Sequence, residues 1–183
     1  METNFWNGDR LMSIAAIIVS VGTLVVFSYQ TNLVRKQQFM SVYPHLEMGH
    51  YGTNSLNYKY LLKNEGIGPA MIKEVKIIDA TGKSYEKLVD YLEDHVYMED
   101  SIFFYHSDVY EGRFMPAGEE IPLIGLVDNE SLKVYGDIRN TVEGAGKLNT
   151  YLSSDSLEIE IVYESIYEES WTIRNDAFIP VKN

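Results

Sequence analysis

The first long segment of the chain has no polar period at all. From residue 11 to residue 29 (LMSIAAIIVSVGTLVVFSY) no side chain carries a charge. About 19 residues rising about 1.5 Å each come close to crossing a hydrocarbon layer of roughly 30 Å, and there the backbone must pair within its own segment, which selects helix. Residues 30–43 (QTNLVRKQQFMSVY) read as a helical continuation and then a linker. Pro44 ends it, since proline cannot donate to a helix and biases its predecessor towards extended backbone. Beyond Pro44 a period of two takes over. Residues 45–51 alternate, with Leu46 and Met48 on one face and His45 and Glu47 on the other, and 57–63 (NYKYLLK) and 70–78 (AMIKEVKII) are the next strands. In 70–78, Met71, Lys73, Val75 and Ile77 oppose Ile72, Glu74, Lys76 and Ile78. Neither face is cleanly polar, which predicts a strand covered on both sides over part of its length.

Residues 79–83 (DATGK) form a turn, and 86–97 switch to helical spacing with Leu88, Tyr91, Leu92 and His95 on one stripe. A strand-like run follows over 101–110, then a turn at 115–120 that feeds a strand over 121–127. Residues 129–152 are mixed: 130–138 has helical character, and Gly144 and Gly146 interrupt anything longer. Residues 156–167 alternate, with Leu157, Ile159, Ile161 and Tyr163 on one face, and Glu168-Glu169 turns the chain back into 170–174 as a hairpin. Six to eight short strands with one or two helical insertions predict a mainly β, α+β fold. The expected architecture is a β-sandwich, immunoglobulin-like but without the Cys…Trp…Cys core. The expected organisation is a short tail (1–10), a transmembrane helix (11–29), a juxtamembrane linker (30–43) and one soluble domain (44–183).

The flanks of the apolar run favour an uncleaved anchor over a cleaved signal. The first ten residues set Glu2 and Asp9 against Arg10, and bulky Phe27 and Tyr29 stand where a peptidase needs small residues. Arg35 and Lys36 follow the run, against Arg10 before it, so the expected orientation puts the large domain in the cytoplasm of a single-pass cell-membrane protein. Ala16 and Ser20 make one small-xxx-small pair, compatible with close helix packing, while no ionisable residue within the run hints at an ion path.

Charge narrows the partners. Fifteen Lys and Arg against 27 Asp and Glu give −12, which disfavours long nucleic acids and anionic headgroups. The absence of cysteine fits a reducing compartment.

Pro44-His45-Leu46, residues 62–72 (LKNEGIGPAMI), 116–119 (PAGE) and 161–167 (IVYESIY) together resemble a loose group of bacterial proteins, over about two-thirds of the chain. These have one N-terminal membrane helix and a small immunoglobulin-like β-sandwich, and are largely without assigned function. The resemblance implies a fold and a topology and carries no catalytic residue across.

Chemistry-bearing patterns are sparse. Residues 64–69 (NEGIGP) have two glycines, but Pro69 removes a donor and strand follows, so a tight connection with Asn64 capping its own backbone is expected rather than a phosphate loop. His45, His50, His95 and His106 show no metal-ligand spacing, and no nucleophile elbow occurs. The expectation is no enzyme, no metal and no cofactor. Aromatics concentrate around the helical insertion. Tyr97, Phe103, Phe104, Tyr105 and Tyr110 are the candidate partner-binding residues, for a protein partner or a second copy. The alternative is a membrane effector gated by a small ligand, with a nucleotide as one candidate, for which Lys59, Lys63, Arg113 and Arg139 are the leading basic residues.

Overall fold

The computed structural model describes residues 8–96, 102–136, 139–153 and 155–183, in two compact units that meet in sequence between Ser41 and Val42. The first contains one continuous helix, α1 (Gly8–Met40), with no buried residue. Ser13, Ser20, Thr23 and Thr31 each donate to the carbonyl four residues earlier at 2.8–2.9 Å, so these four hydroxyls are satisfied within the helix. Its length and a mean hydropathy of 2.4 over the best window suit a membrane span, and a signal sequence shares those properties.

The second unit runs in chain order through β1 (Leu46–Tyr51), β2 (Lys59–Asn64), β3 (Ala70–Asp79), β4 (Ser84–Tyr85), α2 (Leu88–His95), β5 (Phe104–His106), β6 (Phe114–Met115), β7 (Glu120–Leu126), α3 (Asn129–Leu132) with a following 3-10 turn (Lys133–Tyr135), α4 (Val142–Tyr151), β8 (Leu157–Glu164), β9 (Ser170–Arg174) and β10 (Val181–Lys182). One antiparallel sheet has the order β1-β2-β7-β5 and the other β10-β9-β8-β3-β4, with β6 also on β3. Inward side chains of both sheets join Tyr91 and Leu92 of α2 and Ala145 and Leu148 of α4 in a single apolar core. The fold is therefore mainly β with helical insertions, and the 170–174 hairpin partner forms as the alternation requires.

Three local expectations need correction. The mixed faces of β3 come from a β-bulge between Ile72 and Glu74, not from cover on both sides. Ala70 and Ile72 point inward before it and Ile77 and Asp79 after it, so the inward parity switches along one strand. The run over 101–110 is strand only for Phe104–His106 among the described residues. Past Ser107 the chain turns towards the other sheet, where the Gly112 N–H donates to Ile72 O (2.8 Å) and the Arg113 N–H to Tyr110 O (3.1 Å). Gly144 and Gly146 lie inside α4 rather than interrupting it. A Cβ on Gly144 would sit 3.3 Å from the Ile102 side chain, and the Thr141 hydroxyl caps the helix from the Gly144 N–H at 3.0 Å, so packing and capping offset the low propensity of glycine.

One polar side chain orders the end where the chain enters. Asn64 is 1 % exposed. Its Oδ1 accepts from the N–H groups of His45 (3.2 Å) and Gly66 (3.1 Å), and its Nδ2 donates to the carbonyls of Gly68 (2.9 Å), Met115 (3.1 Å) and Pro116 (3.1 Å). The two glycines of the NEGIGP segment serve close approach: a Cβ on Gly66 would lie 2.4 Å from His45 N, and one on Gly68 1.8 Å from Val42 O. Asn64→Ala strands buried backbone groups and should cost about 2–4 kcal/mol. Gly68→Ala forces two backbones apart and should cost about 3 kcal/mol or more. Urea unfolding of the detergent-solubilised chain, followed by intrinsic fluorescence, checks both; a midpoint within error of wild type for either would remove the clamp from this account.

Candidate functional site

The insertion after β7 is held by a second asparagine. Asn140, 4 % exposed, accepts from the Phe103 N–H (2.8 Å) and donates to the carbonyls of Phe103 and Val127 (both 2.8 Å). Its own backbone is gripped by Asn129, whose Oδ1 accepts the Asn140 N–H (2.7 Å) and whose Nδ2 donates to its carbonyl (3.1 Å). Asp128 opens α3 by accepting from Ser131 N (2.8 Å) and the Ser131 hydroxyl (2.7 Å), and those bonds lower its pKa. These contacts set α3 and its 3-10 turn beside β5.

Between them lies an open groove of about 740 Å³, lined by Ile102, Phe103, Phe104, Val127, Ser131, Leu132, Val134 and Tyr135. All but Ser131 and the Tyr135 hydroxyl are apolar, and the hydroxyl of Ser131 is turned to Asp128. Val134 is 84 % exposed and Tyr135 76 %, whereas Phe103 and Phe104 are half-buried in the floor. The groove runs along β5, which among the described residues pairs only with β7. Val127 N donates to Phe103 O and Ser107 N to Leu123 O, so by antiparallel alternation the N–H and C=O of Phe104 and His106 face the outer edge. Chemically the arrangement offers apolar side-chain cover from the groove and main-chain donors and acceptors from the edge.

The aromatic candidates separate. Phe103 and Phe104 line the groove. Tyr105 points to the opposite face of the strand, its ring lying over Gly125, where a Cβ would come within 2.4 Å. Tyr110 lies elsewhere, in an acidic depression of about 510 Å³ with Glu74, Glu86, Asp108 and Glu111. Tyr97 lies outside the described residues. Val134 and Tyr135 were readable as an apolar pair in the stretch given helical character, but nothing in the sequence assigned them an exposed wall.

The basic candidates do not line this groove. Lys63 pairs with Glu120 (2.6 Å), and Arg113 donates to Asp108 O (2.8 Å) and lies 3.6 Å from Glu119. Lys59 opens β2 while Lys63 is near its end, and Arg139 precedes the Asn140 clamp. Among the described residues no group of three or more His, Asp or Glu is gathered to hold a metal.

Among the described residues two carboxylates meet a histidine: Asp108 Oδ1 lies 3.3 Å from His106 Nδ1, and Asp79 meets His95. Asp79 Oδ2 lies 3.7 Å from His95 Nε2, and the Tyr85 hydroxyl donates to it at 3.0 Å. Its Oδ1 accepts from the Thr81 hydroxyl (2.6 Å), Thr81 N (2.8 Å) and Lys83 N (2.9 Å). Led by the Thr81 hydroxyl, these donors hold the Asp79 carboxyl at about 2, against the partial burial that opposes them. A carboxylate so saturated locks the 79–83 turn and is a poor proton acceptor.

Two outcomes follow from these geometries. As pH falls from about 4 to about 2 the unfolded chain takes up a proton that native Asp79 refuses, so stability drops with acidity, and Asp79→Asn should flatten that part of the profile. Urea midpoints at a series of acidic pH values measure the slope. Asn140→Ala should cost about 1–3 kcal/mol and speed amide exchange at Phe103, with protection of β8 retained.

No family model, curated protein or solved structure matches the chain.

Proposed function

We propose that this is a single-pass membrane protein, anchored by α1, whose cytoplasmic β-sandwich binds a polypeptide segment from a protein partner or a second copy in the groove beside β5. The observation that carries the reading is the conjunction of an apolar groove with a strand edge that is unpaired among the described residues. Either feature alone is common; together they match what an added strand needs, main-chain pairing plus pockets for alternate side chains. Anchoring supports it, because confinement to a surface raises effective concentration and lets a modest interface act. The cytoplasmic placement draws on Arg35 and Lys36 after the apolar run against Arg10 before it.

The strand order supports an immunoglobulin-like reading of the sandwich. With β1, β2, β7 and β5 as strands A, B, E and D, and β3, β8 and β9 as C, F and G, the two sheets have the ABED and CFG orders of that architecture. The helical insertions then fall in the connections before D and between E and F, the second of which builds the groove wall. The proposed kinship with single-helix bacterial proteins of this architecture goes with that order.

Photocrosslinking tests the groove in native membranes. A photoreactive residue in place of Val134 should give one dominant adduct, at the mass of a partner or of a dimer, that is absent when the same residue replaces exposed Lys76. Val134→Asp with Tyr135→Asp should weaken that association at least about tenfold while leaving the unfolding midpoint unchanged, since both side chains are largely exposed. Matching adduct patterns at positions 134 and 76 would sink the proposal.

A further inference from the structure

The end of the β-domain opposite the 79–83 turn carries exposed apolar side chains on adjacent connections. Ile166 and Tyr167, 55 % and 42 % exposed, occupy the two central positions of the β8–β9 turn, which is closed by Glu168 N to Ser165 O (3.0 Å) and Ser165 N to Glu169 O (2.9 Å). Turn centres normally carry Gly, Pro, Asn, Asp or Ser, whereas here an Ile-Tyr pair occupies them, with Tyr167 N donating to Ser165 Oγ at 3.2 Å. Ile67, 67 % exposed, stands between Gly66 and Gly68 in the β2–β3 connection. Phe114, 52 % exposed, pairs with Met71 at the start of β3, and Met71 is matched on its other side by Glu164 at the end of β8. The ladder order β6-β3-β8 therefore brings the connections side by side, with strands about 4.8 Å apart.

This is also the end at which the chain enters the domain: Ile67 N and Gly68 N both donate to Tyr43 O (3.0 and 3.1 Å). The uncharged run extends through Val34, and Arg35 and Lys36 then mark a headgroup level. Val42 comes six residues after Lys36, four of them in α1 and two in the turn that follows, a reach of at most about 13 Å, so the domain begins close to the headgroup level. The flanking charges are acid-heavy: Arg113 lies 3.6 Å from Glu119 and Lys73 2.9 Å from Glu164, while Glu65 and exposed Glu168 add further negative charge, so an anionic surface is opposed and apolar and aromatic insertion is left as the attraction.

We propose that this end rests on the bilayer, with Ile67, Phe114, Ile166 and Tyr167 dipping into the interfacial layer of a zwitterionic lipid surface and so fixing the tilt of the domain. The inference depends on α1 spanning the membrane, and the test separates the two. The chain has no cysteine, so single substitutions accept a fluorescent label cleanly. Ile67→Cys, Ile166→Cys, Thr81→Cys in the opposite turn and Ser20→Cys in α1 are each labelled in the full chain and reconstituted into phosphatidylcholine nanodiscs containing nitroxide lipids. The expected result is strong quenching at 20 by deep nitroxides, and several-fold stronger quenching by shallow nitroxides at 67 and 166 than at 81, unchanged in high salt. Quenching at 20 with equal signals at 67, 166 and 81 would overturn the docked end and leave the anchor standing. No quenching at 20 would overturn both. Signals at 67 and 166 that are blue-shifted but unquenched would mean that a second copy covers them, and quenching lost in high salt would mean charge holds the end; either result overturns the proposal.

Discussion

The carboxamide of Asn64 is the constraint on which the β-domain depends. A buried amide must satisfy both its oxygen and its nitrogen, and here five backbone groups from separate segments do so: the lead into β1, the β2–β3 connection and the lead into β7. Because β1 and β7 belong to one sheet and β3 to the other, this side chain ties the two sheets at the end where the chain arrives. The register of β1 and the starting point of β3 are both set there. Gly66 and Gly68 make the geometry possible, since a Cβ at either would meet backbone atoms of 42–45. The aromatic stack beside it, Tyr43 edge-on to Trp171 at 5.3 Å and Trp171 over Tyr163 at 5.8 Å, closes the same end with apolar contact.

Asn140 repeats the device on the other side of the function. The helical insertion contributes Leu132, Ala145 and Leu148 to burial, but it is the Asn140–Asn129 pair that fixes it against the edge of β5 and β7. Directional hydrogen bonds hold a segment in one place at little cost in apolar surface, so Val134 and Tyr135 stay free to form a wall. A rigid frame locked by two asparagines, with apolar side chains exposed at a groove and at the entry end, is the arrangement on which the proposed docking role rests.

Much of the β architecture was legible because the burial period of a strand is local. The alternations within 45–51 and 156–167, the 170–174 return and the helical stripe that became Leu88–His95 each needed no information from elsewhere in the chain. The parity of β3 was not legible, because a bulge is decided by how two strands match in length, and β8 lies some 90 residues away. The aromatic cluster at 103–104 marked the floor of the groove. Its exposed wall depended on where Asn140 would find its partners, and an asparagine in a polar stretch gives no sign of burial.

What the sequence determined alone is the division of the chain: an uncharged run long enough to span a bilayer, then a domain written in period two with acidic excess. It also marked NEGIGP as a tight connection with Asn64 capping its own backbone, while the close approach that its glycines allow came from the fold. Tertiary structure decided which asparagines are buried, which face each side of β3 presents and which apolar side chains remain in water. The physical reason is one of range. Periodicity is a property of neighbours along the chain, while burial of a polar group and exposure of an apolar one depend on what the fold brings, or fails to bring, against them.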